Sequence, residues 1–240
     1  MTRKVRKGSA PFKPASSKVR AYPKAALGWT SGNWSGYAIK KAKRNAYRSV
    51  SGYWRVPKVR PSKTNKYSST WVGIDGFGNN SLIQTGTEQD YVKGKAVYYA
   101  WWEILPAPET KIRFPVSPND LMYARISKRC GTNQWLIILS NKTKGWTFRK
   151  VTKYNGPAST AEWIMEAPSI DGEITRLARY NKFPFSRCRV NRKNPLLKPG
   201  NRGVMIQNKG VVSTPSLPNR TKDGFFVAYG SKTPSPPKSK

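Results

Sequence analysis

Apolar and polar residues alternate in short runs along most of this 240-residue chain. The runs, among them "WSGYAI", "SVSGYWRV", "AVYYAWWEIL" and "TAEWIME", are rich in β-branched and aromatic residues, and turn-forming clusters such as "KTNK" and "DGFGNN" separate them. Helical periodicity is nearly absent, and "DGEITRLARYN" predicts at most one short helix. The pattern predicts an all-β domain built as an antiparallel sandwich or barrel.

The alternation also assigns side chains to faces, because successive residues of a strand point to opposite sides. In "TAEWIME", Glu162 and Glu166 share one face. Ala161, Trp163 and Met165 share the other. The runs "STWVGIDG", "SLIQTG" and "AVYYAWWEIL" likewise combine an apolar face with a face of mixed character. The residues that parity places on these mixed faces include Trp71, Asp75, Gln84, Tyr99, Trp101 and Glu103.

Charge makes these mixed faces unusual. The chain has 45 basic and 11 acidic residues, a formal net charge of +34, so a solvated strand face should be rich in lysine. The mixed faces contain no lysine or arginine. Acids gathered with tryptophan on such faces indicate the floor of a cleft. The alternative is four ordinary polar faces whose carboxylates pair with nearby basic side chains.

Composition limits the chemistry. Without histidine, the chain has no Ser-His-Asp or Cys-His mechanism and no usual zinc site. Cys130 and Cys188, the two cysteines, form either one disulfide or two free thiols, and they are too few for a four-cysteine metal site. We therefore predict no metal and no cofactor, and acid–base chemistry based on carboxylates.

Three segments follow from composition along the chain. Residues 1–28 are basic and free of acids, which predicts a disordered arm or pro-segment. Residues 29–230 form the predicted β domain, and residues 231–240 form a Pro/Ser/Lys tail. The start of the chain has no apolar region of a secretory signal, and no apolar run reaches the length of about 18 residues that spans a bilayer.

Several strings, in order, resemble the glutamic peptidases of the eqolisin type, peptidase family G1. They are "GNWSGYAI", "GYWRVP", "STWVGIDGFGNNSLIQTGTEQ", "YYAWWEILPAPE", "TAEWIMEAP", "FPFSRCRV" and "DGFFVAYG", and together they cover roughly residues 29–230. The resemblance implies a concanavalin-like sandwich of two curved antiparallel sheets that binds a polypeptide on its concave face.

The resemblance also implies which residues of these strings form the active site. The resemblance implies a catalytic dyad of Gln84 in "LIQTG" and Glu166 in "AEWIME", supported by Glu162. Tyr99, also predicted to be a supporting residue, stands where fungal members have an aspartate. The residues implied to line the substrate cleft are Trp71, Asp75, Trp101 and Glu103.

The sequence therefore predicts a monomeric, acid-acting endopeptidase, extracellular by resemblance. The alternative is a non-catalytic sandwich that binds carbohydrate, peptide or polyanion on the same aromatic face. The basic surface predicts non-specific contact with polyanions or anionic surfaces as an accessory property. The arm is predicted to be dispensable for the fold, and near neutral pH its cations are candidates to pair with Asp75, Glu103 and Glu166.

Overall fold

The structure, a computed structural model, describes residues 13–14 and 28–238. These residues form strands and a short 3-10 helix at Pro199–Asn201. The strands are β1 (Lys13–Pro14), β2 (Trp29–Ser31), β3 (Trp34–Lys40), β4 (Ser49–Arg55), β5 (Ser69–Ile74), β6 (Ile83–Val92), β7 (Lys95–Ile104), β8 (Thr110–Ile112), β9 (Leu121–Lys128), β10 (Gln134–Asn141), β11 (Trp146–Lys153), β12 (Thr160–Glu166), β13 (Ser169–Ile170), β14 (Glu173–Ile174), β15 (Phe183–Val190), β16 (Arg202–Gln207), β17 (Gly210–Pro215) and β18 (Phe225–Tyr229).

Most strands belong to one hydrogen-bonded ladder, in the order β11-β10-β9-β4-β15-β18-β17-β16-β3-β12-β5-β6-β7-β8. These neighbours pair antiparallel, whereas β2 pairs parallel with β16. The ladder folds into two layers. We call β11, β10, β9, β4 and β15 the outer layer and β3, β12 and β5–β8 the inner layer; β18, β17 and β16 connect them.

The main hydrophobic core fills the space between the layers. It contains Trp54 of β4 and Trp163 of β12, both without exposed surface. Each indole also bonds to the opposite layer: Trp54 Nε1 donates to Thr87 Oγ1 at 3.1 Å, and Trp163 Nε1 donates to the Ser51 carbonyl at 2.9 Å. Buried indoles with a satisfied N–H therefore fix the two layers against each other. The predicted all-β sandwich of antiparallel strands is confirmed.

The parity prediction for β12 is also confirmed. Ala161, Trp163 and Met165 belong to the main core, whereas Ile164 belongs to a second apolar cluster on the other side of the inner layer. We call that side the tryptophan face. The buried members of its cluster are Trp29, Trp34, Ala38, Trp71, Leu82, Trp101 and Ile164.

The limit of at most one short helix holds for the described residues of "DGEITRLARYN". This segment forms no helix; it contains β14 and two isolated bridges, Tyr67 to Leu177 and Val59 to Tyr180. The backbone of this segment is therefore tied to neighbouring strands rather than to itself. Both cysteines are free, Cys130 exposed and Cys188 buried, so the disulfide alternative does not apply.

The predicted arm lies largely outside the described residues. Of residues 1–28, the structure describes β1, which pairs antiparallel with β2, and Gly28. The predictions about the arm and about the tail after residue 230 stay predictions. Within the described part of the chain, no helix is long and apolar enough to cross a membrane.

Candidate active site

The strand register arranges the tryptophan face in three rows across β12, β5, β6 and β7. Directly paired residues point to the same side of a sheet, so each row brings its side chains together. The rows are Glu162–Gly73–Gln84–Glu103, Ile164–Trp71–Gly86–Trp101 and Glu166–Ser69–Glu88–Tyr99. Of the eight predicted site residues, the structure thus brings seven together, all except Asp75.

Gln84 is held by a neighbouring carboxylate. Its Nε2 donates to Glu103 Oε2 at 2.6 Å, and neither residue has more than 1% of its surface exposed. The amide oxygen of Gln84 has no hydrogen-bond partner in the described part of the chain. Glu103 therefore sets the direction of the amide and leaves its second N–H available.

Trp71 connects the first and third rows. Its Nε1 donates to Glu166 Oε2 at 2.8 Å. Gly73 and Gly86 lie beside it, and a Cβ built on them would come within 2.8 Å of Trp71 Cζ3 and 2.5 Å of Trp71 Cβ respectively. Both positions therefore require glycine: the Trp71 indole occupies the space of a side chain at Gly73, and the Thr70–Trp71 backbone with the Trp71 Cβ occupies it at Gly86.

Glu162 has a different environment from Glu166. Both carboxyl groups are buried, but Glu166 accepts the Trp71 hydrogen bond, whereas Glu162 lies beside Thr160 and the Asp75 carboxylate. Burial, and to a smaller extent the nearby Asp75 carboxylate, raises the pKa of Glu162 well above its usual 4.5, while Thr160 acts in the opposite direction. Glu162 therefore favours its neutral form in acid, and Glu166 differs from it by the hydrogen bond that it accepts from the Trp71 indole.

Asp75 forms hydrogen bonds with the loop before β12. It follows the last residue of β5 with φ at 70°, so strand parity no longer determines where its side chain points. Its carboxylate accepts hydrogen bonds from the Tyr154 hydroxyl at 2.7 Å and from the amides of Ala158 and Ser159 at 2.7 and 2.9 Å. These bonds fix the start of β12; the predicted contact of Asp75 with substrate stays a prediction.

Sequence reasoning missed acids around Tyr99. The Tyr99 hydroxyl donates to Glu109 Oε1 at 2.6 Å, and Lys111 Nζ lies 3.9 Å from the centre of its ring. Burial, followed by the charges of Glu88 and Glu109, raises the pKa of Tyr99 far above its usual 10.0. Glu88 shares the parity of Gln84 and was detectable on that basis; Glu109 reaches the site across a turn and gives no such signal.

The site has no arrangement suited to a metal. Within residues 13–14 and 28–238, no group of three or more His, Cys, Asp or Glu side chains is placed to hold a metal ion. Its polar residues instead form hydrogen-bonded pairs of a carboxylate with a neutral donor. Such pairs are suited to general acid–base chemistry and to the stabilisation of an oxyanion.

Comparison with known proteins agrees with this geometry. The model of the Peptidase A4 family matches residues 32–222. The chain is also similar to the structure of scytalido-glutamic peptidase with a transition state analog inhibitor, at 20% identity and a TM-score of 0.70, over 82% of this chain and 98% of that chain. No curated protein sequence matches the chain.

Two further structures have the same fold. SCP-B, a member of the Eqolisin family in complex with the tripeptide Ala-Ile-His, gives 20% identity and a TM-score of 0.61, over 82% of this chain and 98% of that chain. Aspergilloglutamic peptidase from Aspergillus niger gives 20% identity and a TM-score of 0.55, over 68% of this chain and 99% of that chain. The resemblance noted in the sequence is thereby confirmed.

Proposed function

The chain belongs to the Peptidase A4 family and is a peptide hydrolase; from this premise we propose that it is an acid-acting endopeptidase with Gln84 and Glu166 as its catalytic dyad. The similar structures contain a transition state analog inhibitor or a tripeptide, which supports a polypeptide substrate. Action outside the cell is part of the proposal and rests on family resemblance.

One observation carries the choice of Glu166. Of the two β12 glutamates on the tryptophan face, Glu166 accepts the Trp71 hydrogen bond, whereas burial keeps Glu162 in its neutral form. A general base must be ionised, which favours Glu166. Action in acid is part of the proposal and rests on the family resemblance.

The proposed reaction moves one proton in and out of Glu166. Its carboxylate takes a proton from water, and the water oxygen attacks the carbonyl carbon of the scissile peptide bond. The free N–H of Gln84 donates to the oxyanion that forms, a contribution of about 2.7–4 kcal/mol for one such donor. The tetrahedral intermediate then breaks its C–N bond, and Glu166 returns the proton to the leaving amine.

The other residues position this pair. Glu103 orients the Gln84 amide through its 2.6 Å bond, and Trp71 holds the Glu166 carboxylate. Trp71 and Trp101 are fully buried and pack together in the apolar cluster beside the dyad, which fixes the floor of the site. Glu162 takes no proton in the proposed reaction and supports the site as a neutral group.

The test compares two isosteric substitutions four residues apart. We expect Glu166→Gln to abolish cleavage of a denatured protein substrate at acid pH, because base and acid are lost while volume is kept. Glu162→Gln, the matched control, should keep most of the activity, because it replaces a carboxyl group that is already neutral. Gln84→Ala should lower kcat by about 100- to 1,000-fold.

Two results would contradict the proposal in different ways. If Glu166→Gln stays active while Glu162→Gln is inactive, the roles of the two glutamates are reversed. If both glutamine variants and Gln84→Ala cleave at the parental rate, the dyad is absent and catalysis lies elsewhere. Melting curves of each variant separate loss of chemistry from loss of fold.

A further inference from the structure

The outer layer carries a basic cavity on the side away from the main core. Its volume is about 460 Å³. Its lining residues are Arg48, Ser49, Arg125, Ser127, Lys128, Cys130, Asn191 and Arg192. Four of them are cations, and none of the eleven acidic residues, all of which lie within residues 28–238, lines the cavity. Four like charges around one space repel each other unless an anion occupies it.

The floor and wall of the cavity are ordered by the sheet. Ser49 and Ser127 pair directly across β4 and β9, and each is 8% exposed. Asn191, with φ at 50°, accepts hydrogen bonds from the amides of Arg48 and Ser49 at 2.7 and 3.2 Å. The loop that carries Arg192 is therefore fixed against β4, beside a floor lined by the Ser49 and Ser127 hydroxyls.

The same face continues along the strands to a pair of tyrosines. Ser51 pairs with Arg125 in the next row, and Tyr53 pairs with Tyr123 in the row after that. The two tyrosine rings lie 4.7 Å apart, and both side chains are partly exposed. Four residues of strand separate this pair from the cavity floor, a distance of about 13 Å.

Cations also flank the tyrosine pair. Arg187 Cζ lies 5.9 Å from the centre of the Tyr53 ring, and Lys142 Nζ lies 5.8 Å from the centre of the Tyr123 ring. Within the outer layer, β4, β9, β10, β11 and β15 contain no aspartate or glutamate. Trp71 and Trp101 share the tryptophan face with glutamates, whereas Tyr53 and Tyr123 share this face with cations.

We propose that this outer face binds single-stranded nucleic acid, with a backbone phosphate in the cavity and bases stacked on Tyr53 and Tyr123. The cavity offers guanidinium groups and hydroxyls, which suit phosphate oxygens. Partly exposed aromatic rings on a sheet surface, bordered by basic side chains, suit unpaired bases. This activity is independent of the proposed peptidase site. That site lies on the tryptophan face of the inner layer, whereas the cavity lies on the side of the outer layer away from the main core.

The binding experiment uses the full chain and a labelled oligothymidylate of about 12 nucleotides, within the site sizes of single-strand binding folds. The cavity variant is Arg48→Gln/Arg192→Gln. The charge-matched control is Lys63→Gln/Arg220→Gln. Both cations are exposed, and neither lines the cavity. Because residues 1–28 are themselves basic, only differences between these full-length variants are interpreted.

We expect the cavity variant to bind more weakly than the control. Its slope of log affinity against log salt should fall by about 0.7, the value for one lost phosphate contact on a single strand, whereas the control slope stays parental. Tyr123→Leu should lower the affinity about fivefold or more without changing the slope. Inorganic polyphosphate is the second ligand to be tested, and Tyr123→Leu should leave the affinity for polyphosphate unchanged.

Cys130 gives an independent reading of occupancy, because it lines the cavity and is exposed while Cys188 is buried. Bound oligonucleotide should slow the labelling of Cys130 by a thiol reagent. Equal binding by the cavity and control variants, or labelling unaffected by oligonucleotide, would overturn the site. A third result would change the identity of the ligand. If Tyr123→Leu binds the oligonucleotide as tightly as the parent, and the cavity variant binds both oligonucleotide and polyphosphate more weakly, the site binds a phosphate polymer and not nucleic acid.

Discussion

At the scale of single residues, Glu162 couples the stability of the protein to pH. Burial raises its pKa well above 4.5 in the folded state, so ionisation is easier in the unfolded chain. The stabilising contribution is therefore complete below pH 4.5 and is lost as pH rises through the raised pKa. The residue thus favours the folded state under the acidic conditions in which the proposed reaction operates.

We predict that Glu162→Gln removes this dependence. The variant should lose less stability than the parent between acid and neutral pH, because its amide cannot ionise. Urea denaturation at several pH values measures the free energy of unfolding for both proteins. A constant difference between parent and variant across that range would show that Glu162 does not titrate with folding.

Residue parity predicted most of the site from sequence, and Asp75 shows where parity ends. The residues inside β5, β6, β7 and β12 alternate regularly, so Trp71, Gln84 and Glu166 were assigned to one face correctly. Asp75 follows the end of β5 with a positive φ, and its side chain turns to the Ala158–Ser159 backbone. A turn conformation is decided by local backbone geometry that alternation does not encode.

At the scale of elements, the site depends on register between strands. The sequence indicates which residues share a face but not which residues lie opposite each other, because pairing is set by long-range packing. The register places Gly73 between Glu162 and Gln84, and Gly86 between Trp71 and Trp101. Gly73 leaves room for the Trp71 indole and Gly86 for the Thr70–Trp71 backbone, relations that single strands do not reveal.

We predict that Gly73→Ala lowers both activity and stability. The new Cβ would lie 2.8 Å from Trp71 Cζ3 and 3.1 Å from Leu82 Cδ1, so the indole must move and its bond to Glu166 weakens. Overpacking of this kind costs about 1–3 kcal/mol of stability. Loss of a hydrogen bond to a charged group should lower kcat on the order of tenfold or more.

Gly210→Ala is the matched control for that experiment. Gly210 begins β17, and the nearest contact of an added Cβ is the Gln207 carbonyl oxygen at 3.8 Å, an ordinary separation. Its kcat and melting temperature should stay close to the parental values. Equal kcat for Gly73→Ala and Gly210→Ala would show that the position of the Trp71 indole does not matter for the reaction.

At the scale of the whole molecule, charge is sorted between two surfaces. Composition predicted only a strongly basic protein with an accessory affinity for polyanions. The structure separates two aromatic groups: Trp71 and Trp101 lie with glutamates on the tryptophan face, and Tyr53 and Tyr123 lie with cations on the outer layer. Such sorting depends on the fold and is not visible in a net charge.

This sorting gives a prediction for the basic arm. Residues 1–28 contain eight Lys and Arg and no acid, whereas the tryptophan face contains Glu88, Glu103 and Glu166. Opposite charges attract only while the carboxylates are ionised, above about pH 4.3 for an ordinary glutamate. We predict that the arm lowers peptidase activity near neutral pH and that acidification removes this inhibition.

The comparison is between the full chain and a chain that begins at Gly28. The shorter chain should keep its fold, because β2 retains its pairing with β16. It should be more active than the full chain near neutral pH, and the two should converge in acid, where protonated carboxylates no longer attract the arm. The full chain with Lys18→Gln/Arg20→Gln should fall between them. Superimposable pH profiles would remove the inhibitory role of the arm and leave the peptidase assignment intact, since the dyad lies wholly within β6 and β12.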